Sequence, residues 1–311
     1  MEYIALGCMS GTSLDGIDCS LVKSDGVSYV TDISNEFIPY SDGLQLKLRN
    51  VILKGYLDDI KVINQLNQEY KDSINNFIKK NNFEIDLIAM HGQTIYHDQK
   101  TKISIQLFDK SIRFNTNSPV ICNFRKNDLL NGGNGAPIMP EFHRVLANQL
   151  DLKKVIFVNI GGVTNITVID NQKITAGDSS FGNAIVNDLI FEKTKERFDV
   201  DGSLSNNGQK IDVLFKRIIS DKYFLEKLPK SLDRNYFHKY IDNSIKDKNL
   251  NDLIYTLLEV IPFAINSLIS SQSEFKIILM GGGRKNLTLK KIFSNYFDNI
   301  SPSIPHRGSS C

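Results

Sequence analysis

YIALGCMSGTSLDGIDCSLV, residues 3–22, reads as strand, tight polar turn, strand. An apolar run from Ile4 to Met9 leads into Ser10-Gly11-Thr12-Ser13-Leu14-Asp15-Gly16, and a second run follows from Ile17 to Val22. Glycine lets backbone approach a ligand and take positive φ, and exposed N–H groups with hydroxyls suit phosphate oxygens. Asp15 and Asp18 could hold a hydrated Mg²⁺, an ion that favours one or two carboxylates plus phosphate oxygens. The stretch is not a Walker loop, because it lacks Gly-Lys-Ser/Thr and a strand follows it. The plain alternative is a hairpin turning at Asp15-Gly16, and these residues alone leave both readings open.

With 311 residues the chain can build one large or two medium domains. Its 41% hydrophobic and 23% charged content is that of a globular protein, and a net charge of +2 argues against nucleic acid or anionic membrane as the main partner. No apolar run reaches the roughly 18 residues of a membrane span. The N-terminus enters a strand directly without a basic leader, so the expected compartment is the cytoplasm. Cys8, Cys19, Cys122 and Cys311 show no metal-binding or disulfide spacing, and Cys8 and Cys19 are expected as small core residues.

Ser28 to Phe37 reads as a third strand, and apolar positions three and four apart between Leu44 and Lys80 predict helices. Ile85 to Met90 is then a short buried strand that should deliver His91-Gly92-Gln93-Thr94 at its carboxyl end, where α/β proteins place ligands. Short strands follow at Ser104–Leu107 and Pro119–Asn123, then a glycine loop from Gly132 to Pro140 and a helix over Glu141–Leu150. The second half restarts the pattern. Val155–Asn159 is a strand, Ile160 to Asn165 a turn, Ile166–Ile169 a strand, and Gly177 to Asn183 opens a helix through Phe191. This repetition points to two lobes of like topology, 1–145 and 146–311. The segment Asp201–Tyr240 reads as mixed and mostly helical, with a polar-aromatic loop at Lys230–Phe237. Leu250–Ser270 reads as a helix, and Phe275–Met280 as a strand running into Gly281-Gly282-Gly283 and a helix over Leu287–Phe297.

Asp178 is the candidate catalytic base, expected at a helix start; its ordinary alternative is a helix N-cap. His91, Gln93 and Thr94 offer donors and acceptors for sugar hydroxyls, against the alternative of a satisfied loop histidine and its neighbours. Arg125 could clamp a carboxylate or phosphate, or lie on the surface beside Lys126. Asn159 and Asn165 flank Gly161-Gly162, where they could cap the turn or touch phosphates. His97 and His143 lack the spacing of a helical zinc site.

Met9 to Asp18 resembles the ATP-binding signature of the anhydro-N-acetylmuramic acid kinases. Further motifs of that family match in order: His91-Gly92-Gln93-Thr94, Phe124-Arg125 with Asp128, Gly132 to Pro137, Asn159-Ile160-Gly161-Gly162 with Asn165, and Gly281-Gly282-Gly283 with Asn286. The resemblance implies an α/β, two-lobed fold of the actin/hexokinase/Hsp70 type (ribonuclease H-like). It implies an ATP- and Mg²⁺-dependent kinase that opens 1,6-anhydro-N-acetylmuramic acid with water, phosphorylates O6, and gives N-acetylmuramic acid 6-phosphate in cell-wall recycling. Nucleotide contacts are then expected at Gly11, Thr12, Ser13, Leu14, Asp15, Gly16, Ile17, Asp18, Asn159, Gly161, Gly162, Gly281, Gly282, Gly283 and Asn286. The metal falls to Asp15 and Asp18, and sugar contacts to His91, Gln93, Thr94, Arg125, Asp128 and Asn183. Asp178 matches the family aspartate that activates water, and the family's habit implies a homodimer. Two departures stand out. Ser179-Ser180-Phe181 replaces a Thr-Gly-Pro, and the family's acidic loop and closing helix have no counterpart before Cys311. The expectation is thus a C-terminally shortened member. The alternatives are a relative that binds nucleotide or sugar without turnover, and a kinase for a different amino sugar.

Overall fold

The opening stretch folds as an antiparallel pair, β1 (Tyr3–Ser10) and β2 (Gly16–Ser24), with Cys8 opposite Cys19 and Met9 opposite Asp18. The computed structural model describes residues 1–11, 14–54, 60–98, 101–245, 247–269 and 274–301. Thr12 and Ser13 lie outside the described residues. Gly16 already belongs to β2, opposite Pro39 of β3, and the β1–β2 register closes at Met9–Asp18. Cys8 and Cys19 carry free thiols in the core, as their place in apolar runs implies.

The chain divides into two compact units, Met1–Ile138 and Met139–Cys311. In the first, β3 (Val30–Pro39) pairs with β2, and β4 (Leu87–Asp98) runs parallel to β1. With β5 (Ile103–Leu107) the strand order is β3-β2-β1-β4-β5, and β6 (Val120–Ile121) also pairs with β4. Helices α1 (Asp42–Lys54) and α2 (Ile60–Asn81) form over the stretch whose periodicity predicts them. Val62, Leu66, Tyr70, Ile74 and Phe77 lie on one face of α2 and are buried in the core with Leu6, Leu21 and Ile88. Each buried side chain of this size stabilises by roughly 1.5–3 kcal/mol. A short helix not read from the sequence, α3 (Phe124–Leu130), carries Arg125 and Asp128.

One strand differs from expectation. His91-Gly92-Gln93-Thr94 does not follow the end of a strand but lies inside β4, which continues to Asp98. The register with β1 steps from Cys8–Met90 to Ser10–Gln93, so β4 carries one extra residue there, a bulge that Gly92 accommodates at φ +78°. Past the bulge the strand is held by β5, with Gln93 opposite Leu107.

The second unit repeats the plan. After α4 (Pro140–Gln149), strands β7 (Lys154–Ile160), β8 (Val163–Asp170) and β9 (Lys173–Phe181) form an antiparallel meander. β10 (Lys276–Met280) runs parallel to β7 and β11 (Ile300–Ser301) parallel to β10. In each unit a three-stranded meander has a fourth strand laid parallel to its first, as expected for two lobes of like topology. Helices α5 (Asn183–Thr194), α6 (Asp212–Ile219), α7 (Leu250–Leu268) and α8 (Leu287–Ser294) complete the unit; between α5 and α7 the chain forms short 3-10 turns besides α6. Asn249 caps α7 by accepting from Asn251 N and Asp252 N. Leu253, Leu257 and Ile261 of α7 pack with Ile156, Val158 and Ile160 of β7 in the second core. Among the described residues no helix is long and apolar enough to cross a membrane.

Candidate active site

In both units the parallel pair of strands brings a polar turn and a neighbouring strand to the same sheet end. In the first unit the turn after β1 adjoins Gln93, the register partner of Ser10. The bulge explains the pairing: an added residue reverses which face the following side chains take, so Gln93 joins Ser10 on the core side. Gln93 is fully buried, and its Nε2 donates to the Gly11 carbonyl at 2.9 Å. Its side chain is therefore committed to the turn rather than offered to a sugar. Leu14 and Ile17 are 1% exposed and belong to the core, Leu14 taking φ +61°. Asp15 and Asp18 are exposed at the start of β2.

His91, Arg125 and Asp128 do come together. Arg125 Nε donates to His91 Nε2 at 3.1 Å and its NH1 to the Gly135 carbonyl at 2.6 Å. His91 Nδ1 lies 2.8 Å from the Gly92 carbonyl, so it carries the proton and Nε2 is the acceptor. Burial, followed by the Arg125 charge, pushes the His91 imidazole down to about 4, keeping it neutral. Asp128 accepts from Gly135 N at 2.6 Å, and a Cβ on Gly133 would fall 2.2 Å from the Asp128 carboxylate. Lys102 donates to the carbonyls of Gly132 and Gly133. The glycine loop is thus folded onto α3 and β4 by these polar groups. Thr94 is nearly buried, and its hydroxyl accepts from Gln106 at 3.3 Å.

In the second unit, Asn159, Asn165 and Asp178 stand opposite one another in register across β7, β8 and β9. Side chains opposite one another in adjacent strands share a face, so this is one polar row. It continues to Met280, which is paired with Asn159 and followed at once by the triple glycine. The expected turn from Ile160 to Asn165 shrinks to Gly161-Gly162, because Val163 already pairs with Phe181. Asn183 N donates to the Gly161 carbonyl at 2.7 Å and Asn183 Nδ2 to the Ile160 carbonyl at 3.2 Å, which seats the start of α5 on this turn. Gly281 has φ +74°, and a Cβ there would meet Asn159 Oδ1 at 2.6 Å. A Cβ on Gly283 would meet Ile160 Cγ2 at 2.3 Å. A Cβ on Gly282 or Gly161 would meet only ordinary van der Waals contacts, Asn183 Nδ2 at 4.0 Å and the Val163 carbonyl at 3.6 Å. Asn286 is a helix cap: its Oδ1 accepts from Leu289 N at 2.9 Å and its Nδ2 donates to Asp199 at 3.1 Å. Both ends of its side chain serve the fold.

Asp178 corrects the sequence reading most clearly. It is neither at a helix start nor an N-cap, since Gly182 occupies that position and Asp178 lies within β9. The register of β8 and β9 jumps over Ser179, and this bulge sets Asp178 beside Asn165. Contacts from residues 223–232 help to hold it. Leu232 N donates to Asp178 Oδ2 at 2.8 Å, Asp178 N donates to the Lys230 carbonyl at 2.8 Å, and the Tyr223 hydroxyl donates to the Asp178 carbonyl at 2.7 Å. Lys230 is 5% exposed; its Nζ donates to the Tyr223 carbonyl at 2.8 Å and lies 4.0 Å from that ring's centre. Burial pushes the Lys230 amine down to about 8, against the opposing charges of Glu226 and Asp178. Sequence reasoning missed Tyr223 and Lys230. The only signal was the polar-aromatic stretch beginning at Lys230, and nothing local ties it to a strand fifty-odd residues earlier.

Residues 2–303 match the sequence model of the family described as anhydro-N-acetylmuramic acid kinase. Two curated relatives carry that same name. One, from Pelagibacter ubique, is 34% identical over 306 residues, which are 92% of this chain and 81% of that protein. The other, from Gluconobacter oxydans, is 32% identical over 311 residues, 96% of this chain and 86% of that protein. Among solved structures, component A of the (R)-2-hydroxyglutaryl-CoA dehydratase of Acidaminococcus fermentans superposes with a TM-score of 0.49 at 10% identity. It covers 96% of this chain and 92% of that one.

Proposed function

The chain belongs to the anhydro-N-acetylmuramic acid kinase family, and from that premise we propose how its residues divide the work. The activity is ATP-dependent phosphorylation of 1,6-anhydro-N-acetylmuramic acid, with the 1,6-anhydro bond opened by water and O6 taking the γ-phosphoryl group.

Asp178 is the general base. It accepts a proton from the water that attacks the anomeric carbon, and the O6 leaving that carbon takes the phosphoryl group. The observation that carries this assignment is the polar row Asn159–Asn165–Asp178, which ends beside the glycine turns, with Asp178 Oδ2 fixed by Leu232 N–H. A base must be held within hydrogen-bond reach of the proton it takes, and the Leu232 N–H fixes where this carboxylate stands.

The uncrowded, side-chain-free backbone at Gly161 and Gly282 lets a nucleotide lie against it, while the tight packing at Gly281 and Gly283 keeps that turn in one shape. In the first unit, Gly11 to Asp18 takes phosphate oxygens. Asp15 and Asp18 fit Mg²⁺. Among the described residues no group of three or more His, Cys, Asp or Glu could cage a metal, and Mg²⁺ needs only one or two carboxylates with water and phosphate oxygens. When bound, that ion offsets charge on the transferring phosphoryl group. Arg125, held by neutral His91 and the Gly135 carbonyl and backed by Asp128 and the glycine loop, presents its guanidinium to the sugar.

The test is ADP release with Mg-ATP and 1,6-anhydro-N-acetylmuramic acid, run for the parent chain and Asp178→Asn in ¹⁸O-labelled water. Sugar-dependent ADP, one labelled oxygen at the anomeric carbon, and a loss of about 10²- to 10⁴-fold in the variant are expected. Label absent from the product would refute base catalysis on water, and an undiminished Asp178→Asn would remove Asp178 from the role.

A further inference from the structure

Tyr40 grips the turn after β1 at both ends. Its backbone N–H donates to the Asp15 carbonyl at 2.9 Å, where the turn ends. Its hydroxyl lies 2.8 Å from Ser10 Oγ, where the turn begins. The same hydroxyl is 3.2 Å from that of Tyr70 and 3.3 Å from Gln93 Oε1, and the Tyr70 hydroxyl is 3.0 Å from Ser10 Oγ. Gln93 Nε2 closes the circuit on the Gly11 carbonyl, which also accepts from Leu14 N at 3.3 Å. Ser10, Tyr40, Tyr70 and Gln93 are each 4% exposed or less.

Burying three hydroxyls and an amide in an apolar core brings little net stability, since apolar groups of the same shape do nearly as well there. What a closed polar network adds is direction, because each hydrogen bond is satisfied in only one arrangement of the turn. We propose that Tyr40, Tyr70 and Gln93 are positioning residues for nucleotide binding, holding Ser10, Gly11 and Asp15 at the two ends of this turn where they serve the phosphates of ATP. This reassigns Gln93 from the sugar to the nucleotide, and it rests on the reading of that turn as the phosphate site.

The experiment is steady-state ADP release with each substrate varied in turn, for Tyr40→Phe, Gln93→Leu and the pair combined. Tyr40→Phe keeps the ring and the backbone N–H and removes only the hydroxyl. The KM for ATP should rise about three- to tenfold for each lost hydrogen bond, while the KM for the sugar stays unchanged. The combined variant should show less than the product of the two effects, as expected for members of one network. Equal rises in both KM values, or a rise for the sugar alone, would overturn the inference. Asp15→Asn separates it from the reading beneath it. If Asp15→Asn weakens ATP binding and Tyr40→Phe does not, the positioning role fails and the phosphate site stands. If neither does, the phosphate site itself fails.

Discussion

Leu232 donates its backbone N–H to Asp178 Oδ2 at 2.8 Å across 54 residues of chain, so a loop remote in sequence helps to aim the candidate base. The loop can come this close only because residue 177 is glycine. A Cβ there would meet the Lys230 carbonyl at 2.7 Å and Lys230 N at 2.9 Å.

Gly177→Ala should therefore push residues 228–232 off β9. Overpacking of this kind costs about 1–3 kcal/mol. The expected result is a lower unfolding midpoint with a larger fractional loss of kcat than of ATP affinity. Thermal denaturation beside ADP-release kinetics measures both, and a variant with normal kcat would show that the loop does not aim Asp178.

Gly282 and Gly283 should separate binding from folding. Gly283→Ala drives a Cβ into Ile160, which is fully buried, and should cost about 1–3 kcal/mol of stability. Adding Ile160→Ala should recover part of that loss, a coupling read from a double-mutant cycle in denaturant. Gly282→Ala, whose Cβ meets nothing nearer than Asn183 Nδ2 at 4.0 Å, should leave the midpoint unchanged and raise the KM for ATP.

Arg125→Lys should weaken sugar binding more than ATP binding. The guanidinium reaches His91 and the Gly135 carbonyl together through two nitrogens, and a single ammonium cannot reproduce that fork. Loss of the Arg125 hydrogen bond to Nε2 should free His91, measurable as a shift of its ring resonances by NMR. Its pKa should stay well below 6.5 in the variant, because burial is the larger cause of its depression.

His143 should make the second unit acid-sensitive. Its ring stacks on Phe157 at 4.5 Å, and its Nδ1 lies 2.8 Å from the Thr167 hydroxyl. Burial pushes it down from 6.5 to about 4. Between those values the unfolded chain binds a proton that the folded chain does not. Stability present above pH 6.5 is therefore lost as pH falls toward 4. His143→Phe should show a shallower decline over that window in denaturant titrations, and equal slopes would exclude His143 as the group responsible.

The apolar runs on either side of a glycine-bearing turn were enough to foresee the β1–β2 and β7–β8 hairpins, because period-two alternation and turn chemistry are local properties, whereas most of β9 was read as the opening of a helix. The helical spacing from Leu66 to Phe77 was legible for the same reason, as was the glycine turn after β10. Two bulges were not legible. One extra residue at His91-Gly92 turned Gln93 inward to Gly11, and another at Ser179 set Asp178 opposite Asn165 inside a strand. A bulge is decided by which partner strand holds each side of it, and β5 and β8 are remote from the residues they redirect. Tyr40, Tyr70, Tyr223 and Lys230 carried no motif, for their roles consist of hydrogen bonds to residues 30 to 60 positions away or, for Lys230, to a strand that only folding brings near. The sequence by itself determined the strands, the turns and the chemistry available at them. Tertiary structure alone decided which way Gln93 and Asp178 face, because a side chain's face follows from pairing register, and register is set between strands rather than within one.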